Sequence, residues 1–230
     1  QADDEYRARR HAEMVGFFKT QTADYLVASN DAEGLSNPGI EELVRDRQLN
    51  LHVLGRWQEY LAESHESNEP VFRLWHAAAA IPEGEFAAQW PAVRERVQGN
   101  SLVDSEVATK PAASLRELAD NYAAVLKSHD QAAPFNDTAS EQLRAVLRGA
   151  TSPADVPLDE FELIYTEGDS NNTRAIRVRY NTMLAQSAYD GAPARAMAIE
   201  DVPHPEPVHV FLRGNPNNPG ELAPPHFLSA

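Results

Sequence analysis

The residues with the most chemical potential stand together near the C-terminal end, in Val208-His-Val-Phe-Leu-Arg213-Gly-Asn-Pro-Asn-Asn-Pro-Gly220-Glu221. Arg213 offers a planar fork of donors that suits a carboxylate or sulfate. Asn215, Asn217 and Asn218 both donate and accept, as sugar recognition requires. His209 lies on the strand-like run that delivers the arginine, and Glu221 is a natural internal partner for it. This set defines a candidate ligand-binding loop: His209, Arg213, Asn215, Asn218 and Glu221. The competing reading is structural. Arg213 then pins its own loop through carbonyls and Glu221, while the asparagines make Asx turns.

Other constellations are weaker. The eight histidines show no ligand pair at i+3 or i+4, and His204 and His209 are separated by prolines, so no metal centre is expected. Adjacent acids occur at Asp3-Asp4, Glu41-Glu42, Asp159-Glu160 and Glu200-Asp201. Paired acids do glycosidase chemistry, but in a chain of net charge −15 they are expected on solvated helix faces. Asp169-Ser-Asn-Asn172 lacks the twelfth-position glutamate of a calcium loop and reads as a helix cap. Trp57, Trp75 and Trp90 could stack on sugar, yet each falls on an apolar stripe and is expected in the core. No phosphate loop, nucleophile elbow or dinucleotide fingerprint is present, so no catalytic residue and no cofactor is assigned.

Charge and composition narrow the partners. The acidic balance disfavours nucleic acid and anionic lipid surfaces. Without cysteine there is neither disulfide nor thiolate site nor covalently attached haem. No apolar run reaches the ~18 residues that span a bilayer, so membrane insertion is not expected. The chain starts at Gln1 and enters a charged helix at once, which reads as a processed product or an internal piece.

The elements that must position these residues are mostly helices. Helical spacing predicts one long helix over 3–29, with Met14, Phe17, Phe18, Tyr25 and Leu26 on its stripe, then a break over 34–39. Asn50 is placed to cap a helix carrying Val53, Leu54, Trp57 and Leu61. Asn68-Glu-Pro70 reads as the start of another, and Pro91 as a kink or split in the next. Ser114-Leu-Arg-Glu117 is a capping box. Thr138 or Ser140 opens a helix that Gly149 closes, residues 158–165 form two helical turns, and Asp169 or Ser170 caps a long final helix. After Ala192 the pattern shifts to short strand-like runs, 194–202 and 208–212. The expected fold is mainly α, an irregular multi-helix array with a small C-terminal β-hairpin-like element. A helical domain over 1–192, with a sub-boundary near 99–112, precedes a short β element and Pro/Asn/Gly-rich tail over 193–230.

The tail carries a resemblance. Arg195-Ala-Met-Ala-Ile199 and His209-Val-Phe-Leu-Arg213-Gly-Asn-Pro-Asn-Asn-Pro-Gly-Glu221, with Ala23-Asp-Tyr-Leu-Val-Ala28, Leu54-Gly-Arg-Trp57 and Ala112-Ala-Ser-Leu115, resemble the middle region of large secreted planctomycetal proteins. These combine a cytochrome-c-like module with long domains of uncharacterised function. The resemblance implies an extracytoplasmic location and a chain ending as a following domain begins. The family's haem-binding Cys-x-x-Cys-His is absent here, so its electron-transfer role does not carry over. The expected function is a non-catalytic helical module that links neighbouring domains or binds another protein. The alternative is a polysaccharide-binding or glycan-processing region using the Arg213 loop.

Overall fold

In a computed structural model the described residues are 2–189, 208–211 and 219–223. They fall into two compact units, residues 1–180 and 181–230. The helices are α1 (Ala2–Thr20), α2 (Thr22–Asp31), α3 (Asn37–Asp46), α4 (Leu51–Glu66), α5 (Arg73–Ala79), α6 (Phe86–Arg96), α7 (Ser101–Glu106), α8 (Leu115–Ser128), α9 (Thr138–Arg148) and α10 (Glu167–Tyr189). Short 3-10 segments cover Glu83–Glu85 and Leu158–Ile164. Strands β1 (Val208–Phe211) and β2 (Pro219–Ala223) pair antiparallel, with an irregularity between His209 and Phe211. The fold is thus mainly α with a small C-terminal hairpin.

Helix ends follow side-chain chemistry. Asn50 Oδ1 accepts from the Val53 amide at 3.2 Å, and Ser114 Oγ from the Glu117 amide at 3.2 Å. Glu117 reaches back to the Ala113 amide rather than that of Ser114, a capping box shifted by one residue. Other ends differ from expectation. The long first helix is two, interrupted at Gln21, and Phe17 is 56% exposed instead of joining the stripe. The first break is shorter than 34–39, because Pro38 sits in the first turn of α3, where its missing N–H costs nothing. The turn at 69–72 is not yet helical, since Glu69 spends its carboxylate on the Val71 amide and α5 starts at Arg73. Pro91 is carried inside a continuous α6. Helix α9 opens at Thr138, as the sequence reading has it, and is capped by Asp137, whose Oδ1 accepts the Ser140 amide at 2.8 Å. Gly149 ends α9 in extended backbone, with φ −69° and ψ 165°. A Cβ there would approach the Ala145 carbonyl oxygen to 2.6 Å, so close packing rather than a left-handed turn selects glycine.

One core joins α1 to α9 and the 3-10 segment Leu158–Ile164. α2 packs against α4 and α8, α8 against α7 and α9, and α5 against α6 and α8. Tyr122 of α8 is at the centre, fully buried. Its ring stacks on Phe72 at 5.7 Å and meets Trp75 edge-on at 6.0 Å. Its hydroxyl donates to the Val71 carbonyl at 3.0 Å, satisfying a backbone group inside the core. Trp57, Trp75 and Trp90 are at most 2% exposed, so none offers a face to a sugar. Tyr25 joins packing to capping. Its buried hydroxyl accepts the Asn50 amide at 3.0 Å, registering α2 against the start of α4.

Candidate functional site

Among the polar constellations of the described residues, four stand out. The first is built on Asp169, which is 3% exposed. Thr166 is the residue before α10, and its Oγ1 accepts from the Asp169 amide at 3.2 Å. Asp169 Oδ2 in return accepts from the Thr166 amide at 3.2 Å and hydroxyl at 2.6 Å. Asp169 is therefore the reciprocal partner in a capping box, not the cap itself. Helix α1 fills the other side. Arg10 Nε donates to Oδ1 at 2.7 Å and the Tyr6 hydroxyl donates to the same oxygen at 2.9 Å. Asn172 donates to the Tyr6 oxygen at 3.2 Å. The Asp169 side chain is 4% exposed. Burial opposes its ionisation, but the donors from Arg10, Thr166 and Tyr6 outweigh that cost and hold the carboxyl at about 2.

The second constellation ties the 3-10 segment Leu158–Ile164 to α4. Glu160 Oε2 takes His52 Nε2 at 2.8 Å and Arg56 Nη1 at 3.0 Å. Arg56 Nη2 donates onward to the Ser152 carbonyl at 2.8 Å. Helical spacing puts His52 and Arg56 on one face. Beside them a groove of about 560 Å³ runs along α3 and α4, lined also by Glu41, Gly55 and Glu59. A carboxylate on an imidazole is the arrangement of a general base. Here the same oxygen also accepts from Arg56 Nη1, so the carboxylate is shared between the imidazole and the guanidinium. Asp159-Glu160 thus contributes one acid to a tertiary ion pair.

The third joins Lys19, Asp130 and Arg148. Lys19 Nζ lies 3.4 Å from Asp130 Oδ1, and Arg148 Nε donates to the same atom. This ties the end of α1 to the end of α9. The fourth is Ser64, His65 and His76, where α4 meets α5. Burial, then the neighbouring His65, push His76 down to about 4, so its ring is neutral near neutral pH.

The residues singled out from sequence are divided. His209 and Glu221 are on the hairpin, and His209 Nδ1 lies 3.0 Å from the Gly220 carbonyl. His209 is paired in register with Leu222, one residue past Glu221. Arg213, Asn215 and Asn218 lie outside the described residues, as does the run 194–202. Among the described residues no three metal-ligating side chains gather, and no helix is long and apolar enough to cross a membrane. Sequence reasoning missed Arg10, Tyr6, Glu160 and His76. Tyr6 and Arg10 meet Asp169 across 163 and 159 residues, Glu160 meets His52 across 108 and His76 meets Ser64 across 12, and local spacing carries no signal of that. Comparison of the chain with family models, curated proteins and solved structures finds no match.

Proposed function

We propose that the chain is a non-catalytic helical module that links and orients neighbouring parts of a larger extracytoplasmic protein. Its partners are then the adjoining domains of its parent chain or another protein. The observation that carries this reading is the Asp169 constellation. A buried carboxylate with donors from Tyr6, Arg10 and Thr166 fixes the first turn of α10 on α1. Charge-assisted bonds of this kind have strong directional preference. They set the course of a 23-residue helix at its root. The other buried or half-buried ions, Glu160 with Arg56 and Asp130 with Lys19, likewise join elements distant in sequence. A module that orients needs this stiffness, whereas a catalytic centre needs such groups aimed at a substrate.

The absence of native cysteine makes the test direct. Spin labels are placed at Glu95→Cys on α6 and Arg179→Cys on α10, both exposed positions. The expected outcome is one narrow distance distribution, which broadens when Asp169→Ala is added. A broad distribution in the otherwise unaltered chain would remove the basis for an orienting role.

A further inference from the structure

His65 on the last turn of α4 and His76 on α5 are eleven residues apart, a spacing with no metal-site signature, yet their rings meet. The ring centroids are 4.8 Å apart and the planes cross at 65°. The Ser64 hydroxyl donates to the Leu61 carbonyl at 2.9 Å. Its one proton is thereby used, so in the 2.8 Å contact with His76 Nε2 the ring N–H is the donor. That fixes the tautomer and leaves Nδ1 as the lone-pair atom of His76. An oxygen accepting from the far nitrogen is the outer-shell arrangement that orients ligating histidines. Ser64 is itself buried, 4% exposed, so the orientation is built in. His65 is exposed and free to turn its ring toward an ion.

Access and charge agree. Both rings line two surface grooves, of about 320 and 460 Å³, so the pair stands on a ridge reachable from either side. Glu33 is on the wall of the first groove. Arg73 lines the second, where its Nε is engaged by the Asn68 carbonyl at 3.0 Å. The net charge of −15 favours a cation. Imidazole nitrogen suits copper, zinc and nickel, and copper leads the affinity order among divalent ions. We infer that His65 and His76 form an open two-imidazole site for one late first-row divalent cation, Cu²⁺ ahead of Zn²⁺, with Ser64 orienting His76. Water fills the remaining positions, since no third histidine or carboxylate converges among the described residues.

The test is calorimetric titration of the intact chain with Cu²⁺ and with Zn²⁺, with electron paramagnetic resonance of the copper form. One equivalent should bind, with coupling to two imidazole nitrogens. His65→Gln and His76→Gln should each weaken binding at least tenfold and remove one nitrogen coupling. Ser64→Ala should weaken it about tenfold, the lower end for loss of an outer-shell partner. His209→Gln should change nothing. Because His65 is exposed, His65→Gln keeps the fold and is decisive even where His76→Gln unfolds the chain. Unchanged affinity in His65→Gln, or binding that responds only to His209→Gln, would overturn the assignment.

Discussion

Asp169→Ala is expected to destabilise the helical unit by about 3 kcal/mol, because removing one member of a buried charge network leaves the others unpaired. Arg10 Nε, the Tyr6 hydroxyl and the Thr166 amide all lose their acceptor at once. For a chain of this size that corresponds to a melting point lower by on the order of 10 °C. Glu13→Ala is the contrasting variant. Glu13 also meets Arg10, at 3.1 Å, but is 54% exposed, and its loss should change stability by less than about 0.5 kcal/mol. The same carboxylate sets an acid limit. Its folded value of about 2 is below its ordinary 3.8, so its contribution is present above pH 3.8 and is lost as pH falls toward 2. Linkage puts that contribution at about 2 kcal/mol. Urea unfolding of the original and Asp169→Ala chains at stepped pH should show the gap between them closing over this window. A constant gap would mean that the carboxylate acts through packing and not through charge.

Tyr122→Ala is expected to have the largest effect of any single core change, about 4 kcal/mol, as for other buried aromatics cut to alanine. The ring is fully buried between Phe72 and Trp75, so its removal opens a cavity at the meeting point of α5 and α8. Tyr122→Phe separates packing from hydrogen bonding. It keeps the stack and orphans the Val71 carbonyl, at a cost of about 1 kcal/mol. Denaturant midpoints of the two variants test this. Equal losses would show that the hydroxyl, rather than the ring, dominates the site.

The two residues differ in how far the sequence announces them. Tyr122 was legible as a core residue because it shares a helical stripe with Leu118, Val125 and Leu126, and periodicity reports burial directly. Asn50 and Ser114 were legible as caps because a cap acts within three residues of itself. Asp169 was legible only in part. Its type and position mark a helix start, but its partner Arg10 is 159 residues earlier. Glu160 with Arg56, and His65 with His76, were hidden for the same reason: chain topology, not spacing, brings them together. The hairpin was half legible. The β-branched run of β1 announced itself, whereas β2 contains Pro219 and Gly220 and looks like turn. A two-stranded ribbon tolerates both, since each strand has a free edge. The Arg213 loop is the most conspicuous polar feature of the sequence, whereas Asp169, Glu160 and the His65–His76 pair lie elsewhere.

Joined through Asp169, α1 and the root of α10 should open as one cooperative piece. Native-state hydrogen exchange tests it most directly, at the amides of residues 170–173. The Ser170 amide donates to the Thr166 carbonyl at 3.1 Å, inside the capped turn. These amides are expected to exchange only through global opening, with the free energy shown by Val125 and Leu126 in the core of α8. Exchange at the rate of a fraying helix end, while α8 stays protected, would contradict it.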